Sequence, residues 1–168
     1  MTAAREAMPL SPSAQRVQDA LAAAGIATTV VEYATAARTS QEAAAVLGCS
    51  VAEIAKSLVF RHGADAAVLV IASGANRVDL AKLGAVLGVA PGKADADFVR
   101  AVTGYAIGGI PPLAHAKPLT AIVDRDLLRH DVVYAAGGTP NAMFAIRPDD
   151  LVRVSGGRVA DVALLTTP

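Results

Sequence analysis

One lysine stands where an ammonium group is useful for catalysis. Lys56 lies between Ile54-Ala55 and the run Ser57-Leu58-Val59-Phe60, where an apolar strand is predicted to begin. An ammonium at the edge of a sheet can orient a carbonyl or a phosphate, or stabilise negative charge that develops during a reaction. The ordinary fate of such a lysine is to extend its amine into water. The sequence leaves both interpretations open.

A second candidate is the segment from Thr103 to His115, which holds three glycines, two adjacent prolines and a histidine. Glycine lets another molecule approach the chain closely, whereas proline fixes φ and removes an amide donor. A stiff segment beside a permissive one can direct backbone N–H groups at a carbonyl or an oxyanion. The segment is long for a plain connection and too apolar for a disordered one. These features favour a binding loop over a purely structural loop.

The remaining candidates carry weaker signals. The turn Gly137–Asn141 ends on an amide that can bind a ligand, although a plain turn is the simpler interpretation. Cys49 has no evident base partner, and the three histidines lack the spacing of metal ligands. No Gly-x-Ser-x-Gly, phosphate-binding-loop or His-Glu-x-x-His motif occurs. We therefore expect neither a metal nor a cofactor.

The elements that position these residues alternate between helix and strand. Ser11-Pro12 and the capping-box spacing of Thr39 to Glu42 each predict the start of a helix. The remaining helices are predicted over 79–87, 95–102 and from 148, and the strands over 26–33, the second half of 54–61, 66–72, 120–123, 132–136 and 142–146. The near-continuous apolar run over 66–72 indicates a strand buried on both faces. Such interleaving favours a single α/β domain with a mixed β-sheet flanked by helices.

The composition sets limits on function. The chain has 168 residues, 54% of them hydrophobic, and a formal net charge of zero. A neutral chain is unlike a protein held on nucleic acid by a wide basic surface, but it can still recognise one RNA end. A single cysteine, with neither a signal peptide nor a membrane-spanning run in view, predicts a cytoplasmic protein.

Three motifs, in this order, resemble the YbaK/EbsC family. They are Ile54–Phe60, Gly104–Pro112 and Gly137–Ala142, with Arg77-Val78-Asp79-Leu80 between the first two. These proteins are free-standing aminoacyl-tRNA deacylases related to the editing domain of bacterial prolyl-tRNA synthetases. The resemblance implies an editing domain over residues 13–163, between a flexible N-terminal segment (1–12) and a C-terminal tail (164–168).

The resemblance also implies an activity, which is hydrolysis of the ester that joins a wrong amino acid to the 3′ end of a tRNA. The expected substrate is a small amino acid such as cysteine or alanine on tRNA-Pro or a related tRNA. An aminoacyl-tRNA synthetase is a further candidate partner, and neither DNA nor a membrane is expected. The rival hypothesis is a non-catalytic module that binds an aminoacyl end or a nucleotide.

The same resemblance suggests the site residues. Lys56 matches the family's functional lysine, and the N–H groups of Gly108 and Gly109 are expected to stabilise the oxyanion. Substrate contacts are expected from Tyr33, Ile110, Pro111, Pro112, Ala114, His115, Gly138 and Asn141. Ala114 replaces the last glycine of the family's Gly-x-x-Pro-x-Gly loop, and we expect it to have negative φ because non-glycine residues seldom adopt positive values. No side chain offers a convincing nucleophile or base, so a ribose hydroxyl or a substrate-held water would carry the proton.

Overall fold

The computed structural model describes residues 9–165. Its helices are α1 (Pro12–Ala23), α2 (Ser40–Leu47), α3 (Leu80–Leu87), α4 (Ala96–Thr103) and α5 (Pro148–Ser155). Its strands are β1 (Val31–Glu32), β2 (Ile54–His62), β3 (Ala66–Ser73), β4 (Gly92–Lys93), β5 (Thr120–Asp124), β6 (Val133–Ala136), β7 (Ala142–Ile146) and β8 (Arg158–Ala160). Two 3₁₀ turns, Val51–Glu53 and Arg125–Arg129, precede β2 and follow β5.

Short polar side chains begin the helices, as the sequence predicts. The Ser11 side chain accepts from the Ala14 N–H ahead of α1, and Thr39 accepts from the Glu42 N–H ahead of α2. Each such bond satisfies an amide that a helix start leaves unpaired, which typically stabilises the fold by about 1 kcal/mol. The predicted starts of both helices are confirmed.

One mixed sheet carries all the strands, in the order β1-β7-β6-β2-β3-β5-β8, with β4 paired to β2. The pairs β2–β6, β3–β5 and β5–β8 are parallel, and the remaining pairs are antiparallel. This architecture confirms the predicted single domain with a mixed sheet and flanking helices.

Strand β3 lies at the centre of the sheet and is buried on both faces. Leu69 and Ile71 pack into a core with α1, α4 and α5, whereas Val68 and Val70 pack with Leu83 of α3 on the opposite face. The apolar run therefore has the predicted environment. At about 25 cal/mol per Å² of apolar area removed from water, this strand contributes heavily to the core.

Several strands differ from the sequence predictions, since β2 begins at Ile54 rather than in the second half of 54–61, and neither β4 nor β8 was predicted. Only Val31–Glu32 of the predicted strand over 26–33 pairs in the sheet. The residues before it are bonded by side chains instead, since the Val30 N–H donates to Gln18 and the Thr28 hydroxyl to the Ala145 carbonyl. Strand β4 was not predicted, because two residues beside a proline carry no periodic signal.

The structure describes only part of the two terminal segments predicted from the sequence. Residues 1–8 and 166–168, which make up most of the predicted N-terminal segment and tail, lie outside the described residues. Ser11 already caps α1, so the fold begins before residue 13. Within 9–165, no helix is long and apolar enough to cross a membrane.

Candidate functional site

A cleft of about 230 Å³ opens where strand β2 loses its neighbour on one edge. Strand β2 pairs with β6 only at Ile54 and Ala55, and with β4 only at Phe60 and Arg61. The cleft lies beside the unpaired stretch between them, and its floor includes Lys56, Ser57 and Leu58. Its walls are formed by residues before and within α2, by the segment Thr103–His115 (the central loop), and by β6, β7 and the turn between them. The wall residues are Ala37, Arg38, Thr39, Ser40, Ala43, Ile107, Gly108, Ile110, Ala136, Pro140 and Met143.

The charged side chains that line this cleft are of one sign. Lys56 and Arg38 line it, and no aspartate or glutamate among the described residues does. A site lined by cations and apolar side chains favours a ligand on which negative charge resides or develops. Nor does any group of three or more His, Cys, Asp or Glu side chains in the described part of the chain have the arrangement of a metal site.

Lys56 is held in this cleft by the backbone. Its Nζ donates to the Asn76 carbonyl at 2.6 Å, so the amine does not simply extend into water. Burial lowers the pKa of Lys56, the nearby Arg77 lowers it further, and the Asp124 carboxylate opposes both. The structure places Lys56 in the lining of the cleft, and its role as a site residue stays a prediction.

A buried carboxylate fixes the carbonyl that holds Lys56. Asp124 is fully buried and accepts from the Ser73 N–H at 3.1 Å and from Nδ2 of Asn76 at 2.9 Å. Asn76 also donates to Asp126 at 2.8 Å. With both donors of its amide engaged, Asn76 has a fixed orientation, and so has the carbonyl that binds the lysine. Apart from the polar segment around Asn76, no sequence pattern indicated this cluster.

The central loop contributes fewer residues than predicted. Ile107, Gly108 and Ile110 line the cleft, with Ile107 59% exposed at its mouth. The Gly109 N–H donates to the Ala106 carbonyl at 3.0 Å, and the Gly109 carbonyl accepts from Gly138. The prediction that Gly109 supplies an oxyanion donor is therefore wrong. A Cβ at Gly109 would lie 2.6 to 2.9 Å from backbone atoms of Thr139 and Pro140, so this glycine permits close packing of two loops.

Ala114 has a φ of +66°, which contradicts the expected negative value. Its carbonyl accepts from the hydroxyl of Tyr105, which is buried, at 2.8 Å, and the adjacent His115 ring nitrogen bonds the Pro111 carbonyl at 2.7 Å. Packing and these two bonds determine the backbone here against the local preference of alanine. Neither Ala114 nor His115 lines the cleft.

Several other residues predicted to contact the substrate lie outside the cleft lining. Pro111 and Pro112 are buried and do not line the cleft. Gly138 has a φ of +105° and lies against the start of α1, where a Cβ would be 2.6 Å from the Ser13 carbonyl oxygen. These residues support the loops from behind the cleft, and substrate contact through them stays a prediction.

Tyr33 and Asn141 lie next to the cleft. The Tyr33 N–H donates to the Asn141 carbonyl at 2.8 Å, and Nδ2 of Asn141 donates to the Tyr33 carbonyl at 3.1 Å. Both residues line a small hollow that shares Pro140 and Met143 with the cleft. They position this wall, and contact with the substrate through them stays a prediction.

Sequence reasoning missed Arg38, Ser57 and Met143 as cleft residues. Arg38 and Met143 belong to segments distant from Lys56 in sequence, and no motif links them. Ser57 adjoins Lys56, but nothing in its type marked it as unusual. Its Oγ is buried and has no hydrogen-bond partner among the described residues.

Comparison with known proteins identifies a matching family, a related sequence and similar solved structures. The family model of the aminoacyl-tRNA editing domain matches residues 34–154. The uncharacterized protein YwhH of Bacillus subtilis (strain 168) is 32% identical over 130 residues, which cover 77% of this chain and 83% of YwhH. A solved structure described provisionally as a trans-editing enzyme for prolyl tRNA synthetase is 45% identical, with a TM-score of 0.88 over 93% of this chain and 99% of its own. The structure of the hypothetical protein APE2540 is 34% identical, with a TM-score of 0.82, and the match covers 89% of this chain and 99% of APE2540.

Proposed function

Because the chain belongs to the aminoacyl-tRNA editing domain family, we propose that it is a trans-acting deacylase that hydrolyses the ester of a mischarged tRNA. The observation that carries this proposal is Lys56, whose amine is fixed on a backbone carbonyl in a cleft that no described carboxylate lines. Attack on an ester places negative charge on the carbonyl oxygen. A positioned ammonium in a partly desolvated site stabilises that charge more strongly than water does.

The substrate class we propose is a small aminoacyl group such as alanyl or cysteinyl, on tRNA-Pro or a related tRNA. The cleft has room for little more than a small acyl group and part of the terminal ribose, and Ile54, Ile110 and Met143 form apolar walls. Each extra methylene changes discrimination by only about 1–3 kcal/mol, so selection by size is graded. A cytoplasmic site of action, and a synthetase as partner, belong to the same proposal.

The chain supplies positioning rather than a nucleophile. Thr39, Ser40 and Ser57 bring hydroxyls to the cleft, but no described histidine, cysteine or carboxylate lines it to act as their base. The proposed attacking oxygen is therefore a water or a hydroxyl of the substrate. Gly108 faces the cleft, and no hydrogen bond between described residues uses its N–H. This N–H is the proposed second donor to the oxyanion. Holding the reactants in place can account for a large part of a rate enhancement.

A deacylation panel tests the proposal. Alanyl, cysteinyl and seryl esters of tRNA-Pro are incubated with the protein and with its Lys56→Ala variant. We expect hydrolysis by the unmodified protein and a loss of about 10²-fold or more in the variant, as when an oxyanion donor is removed. Lys56→Arg should restore little, since a planar guanidinium replaces a compact ammonium.

The matched control is Lys82→Ala, which removes an amine that binds Asp161 outside the cleft and should leave the rate unchanged. Equal rates for the Lys56 and Lys82 variants, with folding verified by circular dichroism, would contradict the role of Lys56. Tight binding of the esters without turnover would instead establish a non-catalytic binding module.

A further inference from the structure

Ser57 has an unusual position in the sheet. Pairing between β2 and β6 ends at Ala55, opposite Ala135, and pairing between β2 and β4 begins at Phe60, opposite Lys93. Ser57 lies between these two points, on the floor of the cleft. On this edge of β2 it therefore has no strand neighbour.

The direction of its backbone groups follows from the register. The Gly74 N–H donates to the Ile54 carbonyl at 2.7 Å, so Ile54 directs its carbonyl toward β3. In an antiparallel pair, successive residues direct their N–H and C=O groups to opposite edges. The β2–β3 register runs without interruption from Ala55 to His62. Ser57 therefore directs both its N–H and its C=O away from β3, into the gap that borders the cleft.

Within residues 9–165, Ser57 has no hydrogen-bond partner for its hydroxyl or for its backbone groups on this edge. No hydrogen bond between described residues uses the Ser57 N–H or C=O on that edge, and its buried Oγ is also unpaired. Buried polar groups without a partner are rare in folded proteins, because each costs about 1–3 kcal/mol. The Ser57 Oγ is such a group, and the N–H and C=O beside it border the cleft, where a ligand or water can complete them.

An α-aminoacyl ester has the complementary groups. Its amine is a donor and its carbonyl an acceptor, separated by one carbon atom, as in a strand residue. No described carboxylate lines the cleft to bind the amine, so a carbonyl is the available acceptor. Peptides commonly bind by adding to an exposed sheet edge in this way.

We propose that the Ser57 main chain binds the aminoacyl group of the substrate as one residue of an added strand. The Ser57 carbonyl accepts from the α-amino group, and the Ser57 N–H donates to the ester carbonyl oxygen. The inference rests on the proposed deacylase function and deepens it. The contacts recognise what all aminoacyl esters share, and the cleft walls are left to select the side chain.

Amide NMR with a stable analogue tests this directly. The probe is 3′-alanylamino-3′-deoxyadenosine, whose amide link resists hydrolysis. We expect the Ser57 amide signal to shift and its hydrogen exchange to slow about tenfold or more on binding. The Leu58 N–H, directed toward β3, is the internal control and should change little. The propionyl analogue, which lacks the amine, should bind about tenfold more weakly because it loses a charge-assisted hydrogen bond.

Two variants provide an independent measurement. Ser57→Pro removes an N–H that is not part of the β3 ladder, a position where proline is tolerated in strands. Ser57→Ala removes only the hydroxyl and retains both backbone groups. We expect deacylation by the proline variant to be at least about tenfold slower than by the alanine variant.

The possible results distinguish a failure of the Ser57 inference from a failure of the proposed deacylase function. If the esters are hydrolysed but the analogue leaves the Ser57 amide unchanged, or if both variants are equally active, the Ser57 inference is wrong and the deacylase stands. If no ester is hydrolysed and the analogue does not bind, both are wrong. If the proline variant does not fold, titration of the unmodified protein decides.

Discussion

At the scale of single residues, the charge on Lys56 depends on Asp124. Burial and Arg77 lower the pKa of Lys56, and the Asp124 carboxylate raises it. Asp124→Asn removes the opposing charge, so the pKa of Lys56 should fall and the ammonium should be lost at a lower pH. If deacylation requires the ammonium, the alkaline limb of the pH–rate profile should therefore move to lower pH. Arg38, Arg77 and Asp126 remain in place.

The measurement is a ¹³C titration of the lysine Cε signals. The chain has four lysines, so the Lys56 signal is identified by its loss in Lys56→Met. Asp161→Asn is the matched control, since Asp161 pairs with Lys82 at 3.1 Å away from Lys56 and should leave the Lys56 signal unchanged. An unchanged Lys56 titration in folded Asp124→Asn would show that this carboxylate does not hold the charge.

The backbone of Ala114 is also strained, which leads to a second prediction about a single residue. At a φ of +66°, alanine is about 1–2 kcal/mol less stable than in an allowed region, a cost that glycine avoids. Ala114→Gly should therefore raise the free energy of unfolding by about 1 kcal/mol in urea denaturation. Ala116→Gly, close by and without positive φ, should lower it by a few tenths to 1 kcal/mol through chain entropy. A less stable Ala114→Gly protein would refute the strain.

At the scale of elements, the central loop is packed against the turn Gly137–Asn141. Gly109→Ala would place a Cβ within 2.6 to 2.9 Å of backbone atoms in that turn. We expect a loss of about 1–3 kcal/mol of stability, typical of overpacking, and slower deacylation because Gly108 and Ile110 move with the loop. Gly25→Ala is the control: it adds strain at a φ of +77° in open space and should leave deacylation unchanged. Normal stability and activity in Gly109→Ala would exclude tight packing of these loops.

At the scale of the whole molecule, zero net charge limits how the protein holds RNA. The 15 basic residues are balanced by 15 acidic ones. Contact confined to the single-stranded acceptor end would involve about three phosphates. Each contact contributes about −0.7 to the slope of log affinity plotted against log salt concentration, so the expected slope is about −2. Arg38→Ala should make this slope shallower, since Arg38 lines the cleft. A slope as steep as that of about 6–10 contacts would contradict such limited binding.

The sequence by itself was sufficient to predict several helices and strands, because helix caps and apolar runs act through neighbours in sequence. Ser11, Thr39 and the run over 66–72 specified two helix starts and a strand buried on both faces. The resemblance of Ile54–Phe60 to the YbaK/EbsC family, rather than the local pattern, indicated Lys56 as a site residue. Only the tertiary structure decided the rest. It set φ at Ala114 through the Tyr105 hydroxyl, used the Gly109 N–H within its own loop, and left Ser57 without a strand partner. Such features arise from contacts between segments far apart in the chain, which no local pattern encodes.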